Sequence, residues 1–291
     1  MTTNESTAPK LNKWEGFAIK KKGASLLHQA FYNFQSRNTS SLKLIIESIN
    51  EYGVKDFDWV LIHTGDRCPA LNNENLIQDL NGHQFPFLSY STSNNNFAHT
   101  IPDFIFDHWK EAGIDDFERV RRRIKRHDLA QPQSNLLGWR GANNTYARNL
   151  LGNFKNKLRY DFEYIQWAKA TSSNILPANF LSLDEQIHRW RYLIDIEGEG
   201  YSGRLKLFLH SPRLVFIQWR KHQEFFYPML KPWVHFVPVA NDLSDLEANM
   251  EAIVNNPELE QRIIDAQREF AQIYLTRDFA KYYLAKQISA L

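Results

Sequence analysis

Residues Arg191–His210 read RYLIDIEGEGYSGRLKLFLH, and this stretch decides the fold. An apolar run ends at Glu197, and glycines stand at Gly198, Gly200 and Gly203. Leu205, Phe208 and Leu209 then share one helical face before Pro212. A short apolar run bounded by glycine predicts a buried strand, and the change to a period near 3.6 predicts a helix. Ser202 stands where its cap is expected. Glycine lets backbone N–H groups approach a ligand closely. A helix amino terminus adds unsatisfied donors and about half a positive charge. Arg204 adds a guanidinium whose fork suits phosphate. Together the turn with Gly198, Gly200 and Gly203, the helix start at Ser202, and Arg204 are expected to form an anion site suited to a diphosphate. A glycine-rich turn also serves tight packing alone. The spacing is neither the dinucleotide fingerprint G-x-G-x-x-G nor a Walker loop, which needs Gly-Lys-Ser/Thr.

The flanking sequence continues the alternation. FDWVLIHTGD (57–66) predicts a strand from Phe57 to His63 that breaks into a polar turn, and FPFLSYS (85–91) a second strand. WEGFAIKKKGASLL (14–27) predicts short extended segments around Gly23. In SLKLIIESINEYG (41–53), Leu42, Ile45, Ile46 and Ile49 fall at helical spacing, with Gly53 as the stop. Phe117, Val120 and Ile124 do the same in the next helix, and LLGWRG (136–141) resumes the pattern. A helix is expected through FEYIQWAKA (162–170), then strands over RLVFIQW (213–219) and WVHFVPV (233–239). From Leu243 the tail predicts helix, opened by Ser244 and Glu247 as a capping box and broken near Pro257. Strands alternating with helices indicate an α/β fold. The polar, proline-containing segment 131–135 marks a boundary, giving an amino-terminal domain over 14–130, a second over 131–272 and a terminal helix over 273–291.

Composition narrows the classes. With 291 residues, 43% of them apolar, the chain holds enough for two cores. Lys plus Arg number 35 against 33 Asp plus Glu, a net of +2, which gives no reason to expect a nucleic-acid partner. One cysteine, Cys68, excludes a disulfide framework and a thiolate metal cluster within the chain. The leader MTTNESTAPK lacks the apolar stretch of a secretory signal, and no run approaches the roughly 18 apolar residues of a bilayer span. A reducing, cytoplasmic location is expected.

The run WRYLIDIEGEGYSGRLKLFLHSPRLVFIQW (190–219), followed by HQEFFYPMLKPWVHFVPVANDLSDL (222–246), resembles the CAP10-type glycosyltransferases of family 90. GWRGANNTYARNLL (138–151), IPDFIFDHW (101–109) and HTGDRC (63–68) carry the same resemblance. It implies a GT-B fold, with two Rossmann-like domains facing across a cleft and a helical carboxyl-terminal tail. It implies an inverting transfer of sugar from a nucleotide sugar, a UDP-sugar by resemblance, without a metal or other cofactor. Asp66 matches the family's catalytic base. Arg148 matches an arginine on the donor diphosphate, Ala142 a small residue touching the donor, and Glu199 to Arg204 the donor-binding turn. Glu224, opening EFFYP, is a candidate for the ribose hydroxyls. The acceptor expected is a saccharide or lipid-linked saccharide, such as a lipopolysaccharide core intermediate.

Other residues have plainer readings beside the sharp ones. Asp66 precedes Arg67 in a strand-end turn, where an ion pair or an Asx turn is equally natural. Asp56-Phe-Asp58 copies the DxD of metal-using transferases, yet it precedes its strand, away from the end where α/β ligands bind. Asp115-Asp116 opens a helix, where acids are favoured anyway, and the ten histidines show no HExxH spacing. Structural roles are expected for all of these. Phe225, Phe226, Tyr227, Trp233 and Phe236 read as core rather than as sugar-stacking platforms. The run ERVRRRIKRH (118–127) reads as a solvated helix face or, more sharply, as a peripheral contact with anionic lipid. Two rivals stay open: a non-catalytic nucleotide-sugar-binding or scaffold protein of the same fold, and a small-molecule kinase. The kinase lacks its Walker lysine.

Overall fold

The computed structural model describes residues 7–31, 35–69, 76–128, 130–166, 177 and 179–291. The chain forms two compact α/β units. Unit 1 takes the described residues up to Lys110, together with Lys221–Phe225 and Arg277–Leu291; unit 2 takes Glu111–Arg220 and Phe226–Thr276.

In unit 1, β1 (Gly16–Lys22) and β2 (Ser25–Ala30) form a hairpin. Its turn needs a left-handed residue, and Gly23 supplies it at φ 60°. The backbone N–H of Gly23 donates to Asp56 at 3.0 Å and Lys21 pairs with the same carboxylate, while Lys20 pairs with Asp58. Both acids of the DxD look-alike therefore tie the β1–β2 hairpin to the start of β3. Helix α1 (Gln35–Glu51) follows, then β3 (Phe57–His63), β4 (Leu76–Gln78), β5 (Gln84–Ser89) and β6 (Ser91–Thr92). The sheet order is β2-β1-β3-β5-β4, mixed, with β3 parallel to β5 and the other pairs antiparallel. The buried side of α1 is set one residue away from the apolar spacing. Leu44, Ile45 and Ile49 are buried with Ser41 and Ser48, whereas Ile46 is 40% exposed. The two serines tolerate burial because Ser41 hydrogen-bonds Tyr90 and Ser48 donates to the Leu44 carbonyl.

Unit 2 opens with α2 (Phe117–Ile124), capped by Asp116 and burying Phe117, Val120 and Ile124 as their spacing requires. Then come β7 (Ser134–Gly141), α3 (Tyr146–Leu150), β8 (Tyr160–Tyr164), α4 (Leu183–Arg189), β9 (Trp190–Asp195), α5 (Leu205–Phe208) and β10 (Leu214–Gln218). The short β11 (Gln223–Glu224) pairs with β6 in unit 1. Next are β12 (Val237–Val239), α6 (Leu246–Val254), α7 (Pro257–Tyr274) and α8 (Arg277–Ser289), the last grouping with unit 1. All five strands of unit 2 are parallel, in the order β12-β10-β9-β7-β8. Two α/β units and a helical tail are the GT-B organisation. Among the described residues no helix is long and apolar enough to cross a membrane.

Several details differ from the sequence reading. The units divide at Lys110/Glu111 rather than at Ala130, because α2 packs on unit 2: Phe117 meets His210 ring to ring at 6.4 Å, and Arg123 pairs with Asp184. Phe162 and Tyr164, expected at the start of a helix, instead join Tyr160 in β8; the three alternate and pack on the core of unit 2. The rest of that expected helix, from Trp167, lies outside the described residues. Only Val237–Val239 of WVHFVPV is strand, since Trp233 turns the chain at φ 60°. Ser244 donates to Asp242 instead of capping α6, and the capping box present is Ser182 with Glu185, on α4.

Close approach fixes one glycine. A Cβ on Gly138 would lie 1.7 Å from Cδ2 of the fully buried Trp190 ring. Gly138→Ala is expected to destabilise the fold by about 1–3 kcal/mol, as overpacking does. A chemical-denaturation midpoint unchanged from wild type would contradict this.

Candidate functional site

The strand order of unit 2 reverses between β7 and β9: β8 lies to one side of this pair, β10 and β12 to the other. In open parallel sheets, ligands bind outside the carboxyl ends of the strands at such a switch point. Beyond β7 come Ala142 and, on α3, Arg148; beyond β9 come Glu197 and Gly198 to Arg204; beyond β10 comes Arg220. The chain delivers them there simply by leaving each strand.

Asp195, the last residue of β9, is fully buried. Ser202 Oγ donates to it at 2.6 Å, Arg220 Nη2 pairs with it at 2.7 Å, and Arg204 Nε lies 3.6 Å away. Arg204 also donates to the Arg140 carbonyl. Arg148 Nη1 donates to the Ala142 carbonyl at 3.0 Å and to Asn144 at 2.8 Å. Both guanidiniums stand over the Trp139 ring, Arg148 at 5.5 Å and Arg204 at 5.6 Å. Two guanidiniums, Arg204 and Arg220, thus share one fully buried carboxylate, with the charge of Arg148 close enough to act on Arg204. Burial, reinforced by repulsion from Arg204, pushes Arg148 down to about 10, still cationic at neutral pH. Burial lowers Arg204 as well and raises the carboxyl of Glu197. Arg148 Nε and Arg204 Nη2 are buried N–H groups without an acceptor. Clustered guanidiniums with orphaned N–H donors at one point define a place for an anion.

The cradle keeps the Arg204 of its sequence reading but not the helix dipole. Helix α5 spans only four residues and has no side-chain cap; Ser202 is bonded to Asp195 instead. So short a helix adds little dipole, and the guanidiniums supply the field. The glycine at 198 leaves room for one of them: a Cβ there would stand 3.5 Å from Arg148 Nη2 and 3.2 Å from the Tyr201 carbonyl. Gly200 and Tyr201 are buried, Glu199 is exposed, and Lys206 lies over the Tyr201 ring at 5.7 Å while donating to the Gly203 carbonyl. Asp195, Arg220 and Trp139 escaped the sequence reading. The one local sign was a carboxylate at the end of an otherwise apolar strand.

Asp66 belongs to unit 1, in the turn after β3, beyond the carboxyl end of the parallel pair β3/β5. Its partner is Arg37 of α1, whose Nη1 lies 2.8 Å from Oδ1 and 3.2 Å from the Thr64 carbonyl. The Asp66 side chain remains 39% exposed. Beside it, Glu15 Oε2 lies 2.0 Å from where a Cβ on Gly65 would stand, so a larger residue there would displace the Glu15 carboxylate. His63 is buried and its imidazole is pushed down to about 4, hence neutral. Glu224, 1% exposed, pairs with Ser91 across β11 and β6, also in unit 1. The structure therefore gathers Ala142, Arg148 and the Gly198–Arg204 turn in one unit, and Asp66 and Glu224 in the other. Phe225 and Phe226 are core, as expected, whereas Trp233 is 37% exposed.

The family model described as glycosyl transferase family 90 matches residues 21–290. Among curated proteins, O-glucosyltransferase rumi of Drosophila pseudoobscura pseudoobscura is 29% identical over 222 residues, covering 70% of this chain and 54% of its own. Protein O-glucosyltransferase 1 of Rattus norvegicus is 37% identical over 90 residues, 31% of this chain and 23% of its own. The matched stretches thus span between about a quarter and about half the length of these relatives. Among solved structures, a glycosyltransferase from Rickettsia africae aligns over 88% of this chain and 82% of its own, at 11% identity and TM-score 0.39. Anabaena HepE in complex with UDP-glucose aligns over 60% and 45%, at 10% identity and TM-score 0.37.

Proposed function

Since the chain belongs to glycosyl transferase family 90, we propose that it transfers a sugar from a UDP-sugar to an acceptor hydroxyl, with inversion and without a metal ion. One observation carries the reading: Arg148, Arg204 and Arg220 converge at the β7/β9 switch point, and two of their buried N–H groups, Arg148 Nε and Arg204 Nη2, lack acceptors. A diphosphate leaving group satisfies both.

In the proposed step, the acceptor oxygen bonds to the anomeric carbon as the bond from that carbon to the diphosphate breaks. The acceptor proton passes to the Asp66 carboxylate, and UDP leaves with the electron pair. Preformed charge aimed at the departing oxygens is the strongest help such a displacement can receive, and Arg148 and Arg204 supply it where a metal ion would otherwise serve. Ser202 contributes by holding Asp195, which holds Arg204 and Arg220. Ala142 keeps the wall beside Arg148 small, and Glu224 is assigned the ribose hydroxyls.

For the acceptor, a saccharide or lipid-linked saccharide hydroxyl of a cell-surface glycan made in the cytoplasm is the first reading. Cys68, which forms no disulfide, suits a reducing compartment. A protein hydroxyl is the second, favoured by the names of the curated relatives.

UDP at about 100 times its dissociation constant is expected to raise the unfolding free energy by about 2.7 kcal/mol, read as a thermal shift that ATP does not reproduce. A shift with ATP and none with UDP favours the kinase rival. A UDP shift without turnover, over a panel of UDP-sugars and of both acceptor types, favours the non-catalytic one.

A further inference from the structure

Helix α2 and the 3-10 turn that continues it (Lys125–His127) carry a second concentration of positive charge, one that the proposed transfer does not use. Phe117, Val120 and Ile124 are the buried side of α2. Arg119, Arg122, Arg123 and Arg126 recur at i, i+3, i+4 and i+7, so they share another stripe. With Asp115 they line a shallow depression of about 440 Å³. Two of the four are compensated: Arg119 pairs with Asp115, and Arg123 pairs with Asp184 at 2.8 Å. Arg122 and Arg126 are exposed and, among the described residues, have no carboxylate within 4.0 Å. Lys125 is exposed between them.

The layout decides what chemistry fits. A cup that surrounds its ligand suits a single ion. Here the guanidiniums stand in a row some 10 Å long, at about 1.5 Å of rise per residue, open to solvent along its length. Such a row matches phosphates arrayed on a surface, each taking a fork of N–H donors. No large exposed apolar residue occurs between Asp115 and His127, so attachment would be electrostatic, reversible and sensitive to salt. We propose that this stripe of α2 and the turn after it docks the protein on an anionic phospholipid surface, with Arg122 and Arg126 as its two uncompensated contacts.

The test is co-flotation of the full chain with phosphatidylcholine vesicles and with mixed phosphatidylcholine–phosphatidylglycerol vesicles. Wild type is expected on the mixed vesicles only, and to detach as salt rises from ~0.05 to ~0.5 M. Arg122→Gln with Arg126→Gln is expected to weaken partition about 30-fold, each basic residue near such a surface being worth roughly fivefold. Lys157→Gln with Arg159→Gln removes the same formal charge from other exposed positions and is expected to keep most of the binding. The thermal shift with UDP is expected to be equal in all three proteins, so this result stands or falls apart from sugar transfer. Equal binding of wild type to both vesicle types overturns the proposal, as does equal loss in the two double variants. Binding of inorganic pyrophosphate that depends on Arg122 and Arg126, without vesicle binding, also overturns it, in favour of a small-anion site. The salt series on wild type reads the outcome even if a variant is unstable.

Discussion

Asp66→Asn is expected to bind UDP as wild type does and to lose sugar transfer by about 10²–10⁴-fold, the range for removal of a positioned general base. The substitution removes one capacity and little else. Asparagine keeps an Oδ1 that can accept the hydrogen bond from Arg37, now 2.8 Å. The pair is at the surface, with the Asp66 side chain 39% exposed, and such a pair contributes about 0–1 kcal/mol to stability. Arg37 also keeps the Thr64 carbonyl and its place over the Phe104 ring, 5.2 Å from the centroid. An unchanged melting temperature with lost turnover assigns Asp66 the proton. If transfer persists at the wild-type rate, Asp66 leaves the mechanism and its ion pair with Arg37 is structural.

That ion pair shows what a sequence discloses and what it withholds. Phe57–His63 and Trp190–Asp195 were legible as strands, since an apolar run bounded by polar or glycine residues is a local signal. Helix α2 was legible because Phe117, Val120 and Ile124 repeat at one period. Arg148 and the Gly198–Arg204 turn were legible through the family motif that surrounds them. The partners were not. Arg37 and Asp66 are 29 residues apart, and Arg220 and Asp195 are 25 apart. A pairing made by strand order leaves no period in the chain. Helix α5 was misjudged in length for a related reason. Leu205, Phe208 and Leu209 fit a helical face, but four residues suffice to carry them, and the turn beyond is tied by Ser211 to the Phe208 carbonyl. Of the two sources of positive field legible in the sequence, the dipole is therefore small and the field belongs to guanidiniums, two of which come from distant stretches of chain.

Arg148→Gln is expected to lower transfer about 10²–10³-fold, or about 2.7–4 kcal/mol, as loss of one preorganised electrostatic donor does. It is also expected to leave the ligand-free protein nearly as stable as wild type. The second expectation follows from the surroundings of Arg148. There, burial and the neighbouring Arg204 push Arg148 down to about 10, so its charge is held against the preference of its surroundings. A neutral glutamine relieves that penalty, which offsets the lost hydrogen bonds to Ala142 and Asn144 and the lost stacking on Trp139. Residues that work on a ligand commonly destabilise the fold that carries them. Arg148→Lys separates charge from geometry, since an ammonium keeps the first but not the fork; it is expected to fall between Gln and wild type. A structural arginine would behave in the opposite way, with a lower melting temperature and UDP affinity untouched. That pattern would remove the diphosphate from this corner and with it the reason for assigning a nucleotide sugar to the β7/β9 switch point.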